Sequence, residues 1–446
     1  MGTRLYLGWQ CAFLVPGKEK WNRMLSVLGK LGWFFRQEKR RYLVAIPLLI
    51  LSGFIEVIPP KLIGDAIDRM QQRSFTWSMA GETLAWLLGL TFLTYVISYI
   101  WHFQLFGGAI VVERLLRSKL VRHFLTMTPS FYEKYRTGDL MARATNDLKD
   151  VAQTAGFGIM VLSDSTVWLL TLLVVMCVTI SWKLTLLALL PLVILAIAVQ
   201  YLGRLIHERF REAQDAFGEM NDGVLETISG IRVIRAFVQE RAAERTFSAV
   251  TEDVLKKNLV VAKIDAWFEP IVRLVVGMSY LIGIGYGAYL VFHNELTIGS
   301  LVTFNVYLGM LIWPMFAMGE LINIMQRGNA SLDRVNEVLA HPPDVWEHPD
   351  AVRLDTPEAI EFDQVTFRYP SSETDNLRGL KLRLLRGQTL GIVGPTGSGK
   401  TTFIRQLLRE YPLGEGKLSI SGEPIDRIAF DDLKGWIGYV PQQPFL

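Results

Sequence analysis

The sequence contains very little cysteine and comparatively little charge. Cys11 and Cys177 are the only two cysteines in 446 residues, so neither a disulfide framework nor a cysteine-based metal site can be built from them. Charged residues make up 20% of the chain, and the formal net charge is +3. This small positive balance gives no reason to expect nucleic-acid binding. Hydrophobic residues make up 50% of the sequence, which is too high a share for a typical soluble enzyme.

The apolar residues collect into runs that are long enough to cross a bilayer, which takes about 20 helical residues. Six such runs occur in the first three quarters of the chain, at residues 42–63, 84–106, 157–180, 184–202, 268–292 and 296–318. Only S-W-K separates the third run from the fourth, and only H-N-E separates the fifth from the sixth. Long polar stretches follow the second and fourth runs. This uneven spacing predicts six spans with short links on one side of the membrane and long links on the other.

The orientation of the spans is predicted from lysine and arginine, which are retained in the cytoplasm when they lie near span ends. The segment before the first run and the two long links are rich in these residues, whereas the short links offer little more than Lys183. We therefore predict that both termini and both long links are cytoplasmic. The helical pattern of the long links also predicts that the spans extend beyond the bilayer as helical stalks.

The first 23 residues do not share this pattern. From Met24 onward, apolar residues recur at helical spacing, which predicts an amphipathic elbow helix along the inner membrane surface. A signal peptide is one interpretation of residues 1–23, but the apolar part is short, is broken by Pro16 and Gly17, and lacks a convincing cleavage site. An upstream start codon or a disordered leader is the favoured interpretation.

A soluble domain is predicted after the last span. Residues 341–357 begin with H-P-P-D-V-W-E-H-P-D, a proline-rich and acidic linker, and the domain is expected to start at residue 358. The run A-I-E-F-D-Q-V-T-F-R-Y-P alternates in a way that predicts a pair of strands. The run T-L-G-I-V-G-P-T-G-S-G-K-T-T predicts an apolar strand, a glycine-rich turn and the start of a helix.

Residues 394–401 fit the phosphate-loop motif G-x-x-x-x-G-K-[ST] in the strand-loop-helix context that the motif requires. Glycines let the backbone curl so that successive N–H groups point at phosphate oxygens, and the helix dipole adds positive potential. Lys400 would reach the β and γ phosphates of a nucleotide, and Thr401 would place its hydroxyl on Mg²⁺. A glycine-rich turn that matches by chance is the alternative, which the adjoining strand and helix disfavour. The predicted nucleotide-binding residues are Gly394, Pro395, Thr396, Gly397, Ser398, Gly399, Lys400, Thr401 and Thr402.

Together these features resemble the ATP-binding cassette (ABC) exporters in their half-transporter form. The resemblance covers the chain from about residue 24 to the end, and it is carried also by F-Y-E-K-Y-R-T-G-D-L-M-A-R-A-T-N-D at 131–147 and E-T-I-S-G-I-R-V-I-R-A-F at 226–237. It implies that these two segments form cytoplasmic stalks and short coupling helices that dock onto nucleotide-binding domains. The implied fold is an α-helical six-span membrane domain at residues 24–340, followed by an α/β P-loop nucleotide-binding domain at 358–446 that is incomplete at its C-terminus.

More closely, the sequence resembles bacterial multidrug half-transporters that pair with a different half-transporter. The resemblance implies ATP-driven export of small hydrophobic or amphipathic compounds, multidrug or lipid-like, across the bacterial cytoplasmic membrane. The implied cofactors are ATP and Mg²⁺. The implied partners are a second half-transporter, membrane lipid and the small-molecule substrate. A heterodimer is favoured, and a homodimer stays open as an alternative.

Two further residues receive roles from this resemblance. Tyr369 in F-R-Y-P matches the position of an aromatic ring that stacks on adenine, as any base can stack on an aromatic face. The alternative is a core tyrosine on a strand, where aromatic residues are usually packed. Gln442 in Y-V-P-Q-Q-P-F-L matches the glutamine of the Q-loop, which contacts Mg²⁺ and the attacking water. Lys400 and Gln442 are thus the implied catalytic residues, and Thr401 and Gln442 the implied metal contacts.

The resemblance also implies motifs that residues 340–446 do not contain, including an L-S-G-G-Q signature, a catalytic carboxylate and a switch histidine. The chain is therefore expected to be a half-transporter cut at its Q-loop. We expect such a chain to expose an unpaired apolar sheet edge, to bind ATP weakly and not to hydrolyse ATP alone. A nucleotide-binding regulatory or inactive membrane subunit, the product of a truncated gene, is the alternative function.

Ionisable residues within the predicted spans give the only local clue to a substrate. These residues are Glu56, Asp164, Arg273 and Glu320. Glu56 or Asp164 would be a contact for cationic drugs, or both are structural partners of Arg273 or lie at water-filled stalk ends. Pairing is the favoured interpretation, because it is the usual way in which membranes tolerate such charges. Pro59 and Pro60 predict a kink in the first span.

Overall fold

The structure is a computed structural model that describes residues 26–441, except for the side chains of Ala196 and Gln200. The predicted N-terminal extension and the predicted site residue Gln442 lie outside these described residues. Contacts divide the chain into two compact units, Met1–Glu113 with Lys149–Leu332 and Arg114–Leu148 with Asp333–Leu446. The domain boundaries at residues 340 and 358 stay a prediction.

Helices account for most of the described chain, and their order follows the apolar runs of the sequence. The α-helices are α1 Gly32–Gln37, α2 Lys39–Glu56, α3 Ile58–Gln71, α4 Trp77–Thr126, α5 Pro129–Lys134, α6 Thr137–Ala142, α7 Leu148–Gln153, α8 Ile159–Ser163, α9 Leu169–Val175, α10 Trp182–Ser229, α11 Ile231–Ala236, α12 Glu240–Phe292, α13 Ile298–Met310, α14 Ile312–Leu339, α15 Lys400–Leu407 and α16 Phe430–Trp436. Short π-helical segments lie between α6 and α10, at Arg143–Asp147, Thr154–Gly158, Asp164–Trp168 and Met176–Ser181.

The described residues contain five helical stretches that are long and apolar enough to cross a membrane. The stretch Thr137–Ser229 has 93 residues and includes both the third and the fourth predicted spans. At about 1.5 Å per residue it is several times longer than a hydrocarbon core of roughly 30 Å. The backbone leaves the helical conformation at Ser181, where φ is −164° and the hydroxyl accepts a hydrogen bond from the Leu184 N–H. The stretch therefore holds two spans, and the six-span helical membrane domain is confirmed.

The first predicted span is divided at Val57, two residues before the first of the two prolines. Proline cannot donate a hydrogen bond to the preceding turn, and it is well tolerated in the first turn of a helix. Accordingly α2 ends at Glu56 and α3 begins at Ile58. Two side chains of α13 donate to carbonyls at this break, Tyr307 to Val57 at 2.6 Å and Thr303 to Pro60 at 3.1 Å. The predicted kink is therefore a helix break whose carbonyls find partners on a neighbouring helix.

We expect the Tyr307→Phe substitution to destabilise this membrane unit. The substitution keeps the buried ring but removes the donor to the Val57 carbonyl, which is buried where water cannot replace it. The expected loss in the free energy of unfolding is about 1–2 kcal/mol, measured by thermal unfolding of the purified protein. Tyr289→Phe is the control, because Tyr289 is an exposed tyrosine of α12. Equal unfolding midpoints for the two variants would contradict this role of Tyr307.

The core of the first unit joins helices that carry the third to sixth predicted spans. Its buried cluster includes Met176, Leu184, Leu192, Val275 and Phe304. Close helix approach at small residues adds to this packing, as is usual in membranes. Helices α3 and α13 approach each other at two glycines, and a Cβ built on Gly64 would lie 2.6 Å from the Gly299 carbonyl oxygen.

The second unit contains a four-stranded antiparallel sheet of order β2-β1-β3-β4. The strands are β1 Ala359–Phe367, β2 Leu377–Leu385, β3 Glu415–Ile420 and β4 Glu423–Pro424. The sheet packs on α15 through a buried cluster that includes Phe362, Phe403 and Leu418. The prediction of a strand pair at the start of this domain is wrong, because β1 is one strand that bulges near Gln364, where φ is +53°.

The predicted apolar strand before the phosphate loop is also wrong. Residues 388–395 form neither strand nor helix, and Val393 is 97% exposed. A strand requires a hydrogen-bonded neighbour, and none of the described strands pairs with this segment. The apolar residues T-L-G-I-V predicted a strand, but no strand forms there. Within residues 26–441 no described strand pairs with this segment.

Candidate nucleotide-binding site

The predicted phosphate loop connects residues 388–393 to helix α15. Gly397 and Gly399 have φ values of +86° and +88°, a left-handed conformation that glycine adopts without steric cost. Gly399 is the N-cap of α15, so Lys400 is its first helical residue. The loop therefore curls immediately before a helix N-terminus, where backbone N–H groups and the helix dipole favour anions.

The Lys400 side chain folds back over this loop. Its Nζ donates to the carbonyl oxygens of Gly394 at 2.7 Å and Pro395 at 2.8 Å, and lies 3.4 Å from the Ser398 hydroxyl. The ammonium group thus lies inside the curl of the backbone. A positive charge at that position complements a bound phosphate group.

The loop geometry fits the close approach that a phosphate cradle requires. A Cβ built on Gly399 would lie 2.6 Å from the Asn376 carbonyl oxygen, and a Cβ on Gly394 would lie 2.6 Å from the Ser398 hydroxyl. A Cβ on Gly397 would meet no atom within 4 Å. The backbone is therefore tightly enclosed at both ends of the loop, while its tip faces open space.

Tyr369 lies beside the start of α15, just beyond the end of β1. Its hydroxyl is 3.1 Å from the Thr402 Oγ1, and its N–H donates to the Asn376 Oδ1 at 3.1 Å. The half-buried ring packs edge-to-face against Phe367 and Tyr411, with centroids 5.0 and 4.9 Å apart. Tyr369 therefore lies next to the predicted phosphate loop, while its contact with adenine stays a prediction.

Two charged groups lie near Tyr369: the Arg405 guanidinium is 5.9 Å from its ring centroid, and an ion pair forms between the preceding residue and Asp375. Arg368 donates to the Asp375 carboxylate at 3.0 and 2.7 Å. These hydrogen bonds hold the pKa of Asp375 below its usual range. Asp375 therefore stays ionised at neutral pH and helps to fix the turn that carries Asn376.

Helix α5, at the start of the segment that resembles a coupling helix, packs within the same unit on residues that follow the last span. Tyr411 donates to the Glu133 carboxylate at 2.7 Å, and Thr128 donates to Asp344 at 3.0 Å. Burial and the bond to Glu133 raise the pKa of Tyr411, so its hydroxyl stays protonated. Phe131 is 1% exposed, and its ring lies 5.3 Å from that of His341.

The structure thus brings together the predicted residues from Gly394 to Thr402 and places Tyr369 against them. The sequence did not predict Asn376, Tyr411 or Glu133. Asn376 and Tyr411 lie outside the motif, and Glu133 is more than 200 residues away along the chain, so no local pattern could have linked them to the loop.

Comparison with known proteins identifies the family to which these features belong. Residues 42–315 match the family profile described as the ABC transporter transmembrane region, and residues 377–446 match the profile described as ABC transporter. The chain belongs to the ABC transporters. This ABC transporter chain is therefore a multi-pass membrane protein with an ATP-binding domain of that family.

Similar curated proteins align over almost the whole chain. The "Probable multidrug resistance ABC transporter ATP-binding/permease protein YheI" of Bacillus subtilis (strain 168) is 57% identical over 427 residues, which is 95% of this chain and 72% of that protein. The "Multidrug resistance-like ATP-binding protein MdlA" of Escherichia coli (strain K12) is 37% identical over 425 residues, covering 95% and 71%. The "ATP-dependent lipid A-core flippase" of Syntrophus aciditrophicus (strain SB) is 26% identical over 439 residues, covering 97% and 71%.

Proposed function

We propose that the chain is one half of a dimeric ABC exporter that uses ATP to move small hydrophobic or amphipathic compounds out across the bacterial cytoplasmic membrane. The observation that carries this proposal is the phosphate loop around Lys400 in a chain whose preceding helices are long enough to span a bilayer. The proposed domains are a membrane domain at residues 24–340, a linker at 341–357 and a nucleotide-binding domain from 358. Lysine and arginine near the span ends support cytoplasmic termini.

ATP with Mg²⁺ is the proposed cofactor. Gly394 to Thr402 would hold the phosphates, with Lys400 offsetting their negative charge and Tyr369 stacking on adenine. Thr401 and Gln442 would contact Mg²⁺, which neutralises charge on the phosphoryl group during transfer. The enclosed backbone at Gly394 and Gly399 and the ammonium group within the loop support this assignment.

A second half-transporter is the proposed partner, and the resemblance to heterodimer-forming half-transporters favours a heterodimer over a homodimer. A protein partner of either kind is supported by α11, which lies in the second segment that resembles a coupling helix. None of its residues is buried, and Phe237 directly after it is 71% exposed. The exposed apolar residues of this short segment lie far along the chain from the predicted spans, and such exposed patches indicate protein contacts. They are Ile228, Ile231, Val233 and Phe237, and Leu225 and Val238 directly beside the segment are exposed as well.

The proposal is tested by dye efflux from cells that express the chain together with a candidate partner half-transporter. We expect Lys400→Ala to reduce efflux to the level of cells without the chain, because the charge inside the phosphate loop is lost. Lys381→Ala is the matched control, since Lys381 is an exposed lysine of β2. Efflux that is equal in both variants would contradict an ATP-driven role for this loop, and would favour a regulatory or inactive membrane subunit.

A further inference from the structure

A groove of about 560 Å³ lies in the first unit, at the corner where helix α1 meets helix α2. Only Glu38 separates the two helices, and its φ of −100° and ψ of 28° are not helical. The volume is within the range of small-molecule sites, roughly 300–1,000 Å³. Because the first predicted span begins at residue 42, the groove lies where the chain enters that span from the side predicted to be cytoplasmic.

The part of the groove before the predicted span carries positive charge. Arg36 in the last turn of α1 and Lys39 at the start of α2 both line the groove, and both are exposed. Neither forms an ion pair within residues 26–441. The acidic residue between them, Glu38, instead accepts a hydrogen bond from the Arg41 Nε at 3.0 Å. Two cationic groups of the groove are therefore available to an anionic ligand.

The rest of the groove is apolar and follows α2 into the predicted span. Leu43 is 70% exposed, Ile46 is 37% exposed, and Pro47 lies beside them on the same helix. These residues follow Lys39 by one to two helical turns, which corresponds to roughly 6–12 Å at 1.5 Å per residue. A cationic end followed by an apolar wall of this length fits a molecule with an anionic head and a hydrocarbon tail.

Aromatic side chains brace the corner that forms the groove. Tyr42 is 6% exposed, and its hydroxyl donates to the Ala155 carbonyl at 3.1 Å. The rings of Phe35 and Phe34 pack edge-to-face on the Tyr42 ring, with centroids 4.8 and 5.9 Å apart. These contacts hold the end of α1 against the start of α2. The groove is therefore formed before a ligand arrives, and binding does not have to order the two helices.

We propose that this groove binds one anionic phospholipid, with its phosphate on Arg36 and Lys39 and an acyl chain along Leu43, Ile46 and Pro47. Basic side chains at the membrane surface attract anionic lipids, and arginine and lysine form charge-assisted hydrogen bonds with phosphate. A free phosphate ion has the same charge chemistry but would leave the apolar wall without a contact. The inference goes beyond the proposed export function and does not depend on ATP.

The test uses two phospholipids with the same fluorescent acyl chain, phosphatidylglycerol, which is anionic, and phosphatidylcholine, which has no net charge. Binding of each lipid to the purified full-length protein in detergent micelles is measured by fluorescence anisotropy without nucleotide. We expect the wild-type protein to bind phosphatidylglycerol at least about tenfold more tightly than phosphatidylcholine. Excess inorganic phosphate should not displace the bound phosphatidylglycerol.

Three variants separate the groove from the general positive charge of this segment. Arg36→Gln and Lys39→Gln should each weaken binding of phosphatidylglycerol by about fivefold and leave binding of phosphatidylcholine unchanged. Arg40→Gln is the matched control, because it removes the same charge from the first turn of α2 and Arg40 does not line the groove. This control should change the affinity for phosphatidylglycerol by less than about twofold.

Equal affinity of the wild-type protein for both lipids would overturn the proposal, and this comparison does not depend on the folding of any variant. Equal losses in the Lys39→Gln and Arg40→Gln variants would overturn it as well, because they would show attraction to the whole basic segment. Displacement by inorganic phosphate would identify a phosphate-ion site instead of a lipid site. Selectivity in a chain that starts at Met24, but not in the full-length chain, would assign the groove to residues 1–23 and contradict the proposal.

Discussion

Replacing Gly399 with alanine is expected to weaken ATP binding by about 100-fold or more, the largest effect of any single methyl group in the phosphate loop. The added Cβ would lie 2.6 Å from the Asn376 carbonyl oxygen, and φ at this position is +88°. A backbone oxygen cannot swing aside like the end of a flexible side chain. The N-cap of α15 must therefore shift, and the loop that holds the phosphates shifts with it.

Asn376 cannot yield easily, because it is fixed from two sides. Its N–H donates to the Phe367 carbonyl at 2.8 Å, and its Oδ1 accepts from the Tyr369 N–H at 3.1 Å. A movement that made room for the new Cβ would break these bonds and displace Tyr369. We therefore expect the steric conflict to be resolved at the loop or at the predicted adenine contact, and either change weakens ATP binding.

Gly397→Ala separates this clash from backbone strain. Gly397 has nearly the same φ, +86°, but a Cβ there would meet no atom within 4 Å. Left-handed backbone costs a non-glycine residue roughly 1–2 kcal/mol, so this control should lose only about 5- to 30-fold in affinity. The measurement is binding of a fluorescent ATP analogue to the purified protein. Equal ATP affinities of the Gly399→Ala and Gly397→Ala variants would show that the close contact between residue 399 and the Asn376 carbonyl oxygen does not determine the conformation of the loop.

Phe131→Ala is expected to reduce ATP-driven transport at least about tenfold while ATP binding stays within about twofold. The Phe131 side chain of α5 is 1% exposed, and its ring lies near those of His123 and Phe124 of α4 and of His341. Removing a buried phenylalanine ring costs about 3–5 kcal/mol of packing and cavity energy. We expect α5 to loosen from its docking surface, while the phosphate loop, which Phe131 does not touch, keeps its geometry.

A continuous set of contacts connects α5 to the phosphate loop. These contacts are the physical reason to expect that events at the phosphate loop are coupled to α5. Glu133 of α5 accepts from Tyr411, the Tyr411 ring packs on Tyr369, and the Tyr369 hydroxyl lies 3.1 Å from Thr402. A change at the phosphate loop can therefore reach α5 through three side-chain contacts. Such a chain of contacts is a hypothesis about coupling until variants along it are measured.

Two variants test this second prediction. Tyr132→Ala is the control for Phe131→Ala, since Tyr132 is the exposed neighbour on the same helix. Tyr411→Phe removes only the hydroxyl that donates to Glu133, and should lower transport without changing ATP affinity. The readouts are dye efflux and binding of the ATP analogue. If the Phe131→Ala variant transports as well as the Tyr132→Ala variant, docking of α5 is not needed to couple ATP binding to transport.

The parts of the fold that the sequence predicted depend on local patterns. Six spans follow from runs of apolar residues, and the break before Pro59 follows from a missing donor. The phosphate loop follows from glycine and lysine at fixed spacing. The strand at residues 389–393 was predicted wrongly, because apolar composition does not reveal whether a partner strand is available.

The features that the sequence could not predict join residues from distant segments. A cavity in the first unit brings Glu56, Trp101, Asp164 and Trp313 together from four predicted spans. The same limit applies to the contact between Glu133 and Tyr411. Glu56 and Asp164 were noticed in the sequence because they are ionisable residues within apolar spans, but only the packing of the helices shows that they line the same cavity and that Arg273 pairs elsewhere.

The most direct test of the central claim is uptake of a fluorescent amphipathic compound into proteoliposomes that contain the full-length protein and its partner half-transporter, with the phosphate loop facing outward. The account predicts that Mg²⁺ with ATP starts uptake, that a non-hydrolysable ATP analogue does not, and that Lys400→Ala abolishes uptake. Uptake that proceeds without nucleotide, or that an ion gradient alone drives, would contradict the claim that ATP at this loop powers the transporter.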